Sequence, residues 1–339
     1  MLEITGFSEG DPEFPTDYWP GIWDRLKYKG KNWGMPFEGS VTFFVCNDAV
    51  FEKAQVPVPT EDWTVEDILQ WSPLVVTDSK GKNPGDAGFN RNDVSVWAVQ
   101  FSEYPLWLQP VWIEAGTDIV SADKAKATVD TPEMLEVLNW FCKLFVDPPA
   151  GPLNPGPGAE VGMATNNLGA QFQGSWVLPS MEQLSQEKSL KWTWLPFPKW
   201  KKGGESRASW PEKELYLAKN SKADPDVPKA AYTFEKWLWQ PQQQARWCVG
   251  SGYLPLTQGA FKDPLYQAAV NAKPWVKKSI DLFAKADSGW IWPGGQECHQ
   301  LMYEMMQLIP GGSLKADGLK AALSDLQVRM QEVLDKANA

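Results

Sequence analysis

In the stretch "NNLGAQFQGSWVLPSMEQL", Asn166 to Leu184, Trp176 follows the small pair Gly174 and Ser175, where a strand-like run turns into a helix-like one. Aromatic faces stack on the apolar C–H faces of sugar rings while Asp, Glu, Asn and Gln hydrogen-bond the hydroxyls, so a tryptophan-lined cleft suits a carbohydrate. The chain has 20 tryptophans, 8 tyrosines and 15 phenylalanines, an excess that makes this chemistry its main clue. For any single tryptophan the commoner fate is core filler. At Trp176 the small neighbours argue against dense packing and let backbone approach a ligand, so ligand contact is favoured there. Tyr253 can stack through its ring and hydrogen-bond through its hydroxyl, although a buried tyrosine satisfied by backbone fits equally well. Trp290 and Trp292, in "DSGWIWPGG", alternate as on a strand and should point to opposite faces. Trp107 and Trp112 are spaced five apart, which does not suit one helix face, so one of them is expected in the core.

The motifs do not argue for catalysis. There is no G-x-S-x-G, phosphate-binding glycine loop or H-E-x-x-H pattern in the sequence. The lone His299 has no second histidine or close carboxylate pair beside it, so a structural role is expected, with no metal and no cofactor. A glycoside hydrolase with a tryptophan-lined cleft is the alternative reading, with Glu103, Glu114, Glu212 and Glu297 as candidate acids. A third reading, a partner-binding protein, would present an aromatic patch without a concave site.

These residues need elements to hold them. Val41 to Cys46 is a short β-branched and aromatic run and reads as a buried strand. A helix is predicted to begin near Thr64, with Asp67 as its capping-box partner and Val65, Ile68, Leu69 and Trp71 as apolar positions. Gly81 to Asn92 reads as loop. The "DTPEMLEVLNWFCKLFVD" segment predicts a helix capped by Thr131, with Pro132 first and Met134, Leu138, Phe141 and Phe145 inward. Proline- and glycine-dense Asp147 to Gly162 is expected to be loop. "VPKAAYTFEKWLWQ" predicts a helix with a core stripe of Ala231, Phe234, Trp237 and Leu238. Near the C-terminus, Leu319, Leu323, Leu326, Met330 and Val333 share one face of an amphipathic helix. Helices interspersed with short buried strands argue for an α/β architecture.

With 339 residues the chain is long enough for two cores, and 43% hydrophobic with 22% charged residues is a globular balance. A net charge of −10 disfavours nucleic acid, and no apolar run reaches the roughly 18 residues of a membrane span. The four cysteines show no C-x-x-C spacing, and Cys46 and Cys142 read as small buried hydrophobes.

Five segments, taken in order, resemble family 1 extracellular solute-binding proteins, the carbohydrate receptors of bacterial ABC importers. They are "YKGKNWGMPFEGSVTFFVCNDAVFEKAQVPVPTEDWTVEDIL", "VDTPEMLEVLNWF", "GAQFQGSWVLPSM", "ELYLAKNSKADPDVPKAAYTFEKWL" and "GSGYLPLTQGAF", and the resemblance runs from about Leu2 to Leu334. Cys46 stands where the family usually has Tyr, and Gln55 where it usually has Gly, which weakens the local turn prediction. The resemblance implies a two-lobed, type II periplasmic-binding-protein-like fold, with residues 1–38 and 211–287 in lobe one, 40–208 and 289–339 in lobe two, and a ligand cleft between them. It implies that Trp176 stacks on the ligand, that Glu38 and Ser40 are polar contacts, and that Trp107, Trp112 and Trp210 hold cleft-wall positions, with Tyr253, Trp290 and Trp292 as further candidates. It implies a non-catalytic monomer that delivers a sugar to ABC transporter permease subunits, in the periplasm or outside the cell, anchored through a lipidated N-terminus. The signal sequence and opening βα units that the family carries have no counterpart before Leu2. The expectation is a truncated chain whose first lobe leaves an apolar face or sheet edge exposed.

Overall fold

The computed structural model describes all residues except 1, 20–21, 101–103, 147–158, 211–212, 220–223, 225, 284, 289–291 and 339. The chain divides into two compact units. Unit 1 comprises Met1–Val41 and Trp210–Ala284, and unit 2 comprises Thr42–Ser209 and Lys285–Ala339.

The first segment of unit 1 ends in strand β1 (Met35–Glu38). Unit 2 then begins with β2 (Thr42–Asn47), whose six residues are all buried, as its apolar run predicts. Helix α1 (Val65–Val75) starts where expected. Asp67 Oδ2 accepts from the Thr64 backbone N–H at 2.7 Å while Thr64 Oγ1 accepts from the Asp67 N–H at 3.3 Å, so two otherwise orphaned donors are satisfied reciprocally. Strands β3 (Thr77–Asp78) and β4 (Val94–Gln100) flank the glycine- and asparagine-rich loop, and α2 (Pro105–Ala115) follows. Helix α3 (Pro132–Val146) is capped by Thr131, which accepts from the Met134 N–H at 3.1 Å. Met134, Leu138, Phe141 and Phe145 are all buried along it. Strand β5 (Leu168–Gly174), helix α4 (Leu178–Lys188) and strand β6 (Trp192–Leu195) complete this segment.

The five strands of unit 2 form one mixed sheet in the order β3-β4-β5-β2-β6. Strand β2, between β5 and β6, is antiparallel to both neighbours, with Phe44 opposite Phe172 and Leu195. Only β4 and β5 run parallel among these pairs. Phe44 and Cys46 face a continuous apolar cluster that includes Trp63, Trp71, Leu138, Phe141, Phe172 and Phe197.

The return segment of unit 1 opens with β7 (Lys213–Leu215), antiparallel to β1, and continues through α5 (Val227–Leu238), α6 (Pro241–Ser251), α7 (Pro264–Ala272) and α8 (Pro274–Phe283). Helix α5 corrects one expectation. Phe234 and Trp237 are 59% and 45% exposed, whereas Tyr232, Glu235 and the following Trp239 are buried. The chain ends in unit 2 with α9 (Gly295–Gln307) and α10 (Leu319–Asn338). On α10, Leu319, Leu323, Leu326 and Met330 are buried as expected, and Leu334 completes the face while Val333 packs at its margin. All four cysteines are buried thiols without disulfides.

Candidate functional site

In unit 1, four side chains from three parts of the sequence meet at the end of β1. Lys213 stands opposite Glu38 in the β1–β7 register, which brings its ammonium Nζ to 3.3 Å from Glu38 Oε1. Helix α6 supplies Trp247, whose indole N–H donates to Glu38 Oε2 at 2.6 Å. After α6 the chain turns through Gly252 at φ 78°, a left-handed helix end that suits glycine. Leu254 then bridges to Gly39, with its N–H donating to the Gly39 carbonyl at 2.7 Å. That bridge carries Tyr253 alongside Glu38, and Lys213 Nζ donates to the Tyr253 hydroxyl at 2.7 Å.

Glu38 is 3% exposed, and each of its two carboxyl oxygens has a donor, which offsets the cost of burying it. Trp247 is 46% exposed although its N–H is engaged, so an anchored ring presents open surface. Phe37 supports it from the side at 5.2 Å between ring centroids. The Lys213 ammonium lies 5.0 Å from the centroid of the Tyr253 ring, and the hydrogen bond to the Tyr253 hydroxyl raises the lysine pKa. Burial first of all raises the Tyr253 pKa, so the phenol stays protonated. With the lysine 64% exposed, the ion pair is worth no more than about 1 kcal/mol. Its stronger effect is geometric. An open aromatic face beside an ammonium and a phenolic hydroxyl can stack on an apolar ring face and hydrogen-bond its substituents.

Of the residues expected from sequence, Glu38 and Tyr253 belong to this cluster, and Ser40 is fully buried two residues beyond Glu38. Lys213 and Trp247 were missed. Lys213 carries no motif of its own, and Trp247 sits on a helix where one more tryptophan reads as core.

Trp176 lies in unit 2, partly exposed in the short 3-10 turn Ser175–Val177 that follows β5. The space over Gly174 is taken by the Trp176 ring itself, which corrects the expectation that small neighbours open the backbone to a ligand. Trp112 is fully buried in the unit 2 cluster, so it is core rather than a wall. Trp292 is half-buried at the margin of that cluster with the Lys124 ammonium 4.8 Å from its ring centroid. Trp290 lies outside the described residues, as do the side chains of Trp107 and Trp210.

Among the candidate acids, Glu103 and Glu212 also lie outside the described residues. Glu114 accepts from the Trp200 backbone N–H at 2.5 Å, and Glu297 occupies the first turn of α9. His299 is buried against Tyr104 in unit 2, and burial lowers its pKa to about 4, which suits a packed neutral imidazole. Among the described residues no cluster of three or more His, Cys, Asp or Glu could hold a metal ion.

A mixed α/β chain in two units, with anchored aromatics beside paired polar groups, has the features of a two-lobed solute-binding protein. The chain belongs to the bacterial extracellular solute-binding protein family, whose model matches residues 7–274. As a member it is a binding receptor rather than an enzyme. No curated protein matches the sequence. Among solved structures, the fold is similar to that of an ABC substrate-binding protein of Listeria monocytogenes in complex with cycloalternan. The TM-score is 0.78 at 18% identity, over 99% of this chain and 80% of that one. An ABC transporter solute-binding protein of Thermotoga lettingae, bound with alpha-D-tagatose, gives 0.79 at 18% identity over 98% and 80%. UgpB of Mycobacterium tuberculosis, in complex with glycerophosphocholine, gives 0.74 at 16% identity over 96% and 76%. No helix among the described residues is long and apolar enough to cross a membrane.

Proposed function

We propose that this chain is the substrate-binding component of an ABC importer, binding a mono- or oligosaccharide outside the cytoplasm and delivering it to the permease subunits. The observation that carries the reading is the exposed Trp247 ring anchored by buried Glu38, with the Lys213 ammonium and Tyr253 hydroxyl beside it. The sugar's C–H face stacks on Trp247 and its hydroxyls reach Lys213 and Tyr253. Trp176, on unit 2, is proposed separately as a saccharide-stacking ring. The saccharides bound by the Listeria and Thermotoga proteins support this ligand class, and the glycerophosphocholine of the Mycobacterium protein defines the competing one.

Calorimetric titration with a panel of neutral mono- and oligosaccharides and of glycerophosphodiesters tests the reading. A neutral saccharide is expected to bind, and Trp247→Ala to weaken it about tenfold, the equivalent of roughly 1.4 kcal/mol. Binding confined to glycerophosphodiesters, or to nothing in the panel, overturns the carbohydrate assignment.

A further inference from the structure

At the end of β5, Gly174 has φ −120° and ψ 174°, extended backbone that any residue adopts. The chain conformation therefore does not call for glycine here; the available space does. A β-carbon built at Gly174 would lie 2.1 Å from Cζ3, 2.3 Å from Cη2 and 2.6 Å from Cε3 of Trp176. Non-bonded carbon atoms sit best about 3.5–4.0 Å apart, and these separations fall far inside that range, so a side chain at this position and the ring in its present place exclude each other. All three atoms belong to the six-membered ring of the indole, which therefore rests on the Gly174 backbone. Gly174 and Ser175 are buried while Trp176 stays partly exposed. An indole seated on backbone through one face has only its opposite face and its edges to offer a ligand.

We infer that Gly174 is the positioning residue for Trp176, fixing the ring so that it stacks on a flat ligand ring from one side only. This rests on the proposal that Trp176 contacts the saccharide. Replacing Gly174 with Ala leaves the backbone unstrained and acts only by evicting the indole. The effect of the glycine must therefore vanish when the indole is absent.

A double-mutant cycle of Gly174→Ala, Trp176→Ala and the combined variant tests this, with affinity for the tightest-binding saccharide of the panel read by calorimetry. Gly174→Ala and Trp176→Ala should each weaken binding about tenfold, and the combined variant should be no weaker than Trp176→Ala alone. The ligand-free melting temperature provides a second reading. Gly174→Ala should lower it in the wild-type background and leave it unchanged in the Trp176→Ala background. Additive losses in either measurement, or wild-type affinity in Gly174→Ala, overturn the inference. Wild-type affinity in Trp176→Ala overturns the ligand contact itself, while sugar binding to the unmodified chain stands or falls by the panel.

Discussion

Gln55 shows how far a single residue can be forced by its neighbours. The short helix Asp48–Lys53 ends with the Val56 N–H donating to the Phe51 carbonyl and the Gln55 N–H donating to the Glu52 carbonyl, both at 3.0 Å. This is the paired ending that normally places a glycine at the left-handed position. Gln55 occupies it at φ 56° with its side chain exposed. The departure from the family's usual glycine therefore costs strain without abolishing the turn. Gln55→Gly should stabilise the protein by about 0.5–1 kcal/mol, the left-handed penalty less glycine's extra chain entropy. Urea denaturation reads this directly, and a loss of stability would show that the exposed glutamine makes a compensating contact. Glu38 is the opposite case, a residue whose type announced chemistry. Its partners could not be read locally, because Lys213 and Trp247 reach it from 175 and 209 residues away in sequence through strand pairing and helix placement.

At the scale of elements, the helices with strong end signals were legible. Thr64 with Asp67, and Thr131 followed by Pro132, mark the starts of α1 and α3 because caps are local chemistry. The choice of face on α5 was not. Its sequence carries two helical stripes, Ala231, Phe234, Trp237 and Leu238 on one and Tyr232, Glu235 and Trp239 on the other. Apolar content favours the first, but the second is buried because partners near the N-terminus select it. Phe7 stacks on Tyr232 at 5.3 Å, and Tyr18 meets Trp239 edge-on at 4.7 Å. Phe234 and Trp237 are left outside, nearly parallel at 18° and 6.0 Å apart. Phe234→Gln should change stability by less than about 0.5 kcal/mol. Tyr232→Ala should cost about 3 kcal/mol, since it removes a buried ring. Comparable losses in the two variants, measured by urea denaturation, would place Phe234 in an interface.

Across the whole molecule, buried Glu235 in unit 1 and buried His299 in unit 2 are ionisable groups of opposite kind, and they set opposite pH responses. In unit 1, Glu235 is 6% exposed and burial raises its pKa to about 7. Its folded form holds a proton that the unfolded chain releases near pH 4.5, so unit 1 loses stability as pH rises from there to about 7. In unit 2, His299 is 5% exposed with its pKa lowered from 6.5 to about 4. There the unfolded chain takes up the proton first, so unit 2 loses stability as pH falls from 6.5 to about 4. Each displacement is worth up to about 3 kcal/mol, several degrees of melting temperature for a domain of ordinary size. Unit 2 also holds an extended apolar cluster that joins its sheet to α1, α3, α9 and α10. Unit 1 should therefore melt first at alkaline pH. Scanning calorimetry from pH 4.5 to 8.5 should show Glu235→Gln raising the lower transition at pH 8 and leaving it nearly unchanged at pH 5. His299→Gln should flatten the acid side of the upper transition alone. If Glu235→Gln leaves the slope between pH 5 and 8 as it is, the glutamate is solvated when charged and the alkaline weakness lies elsewhere.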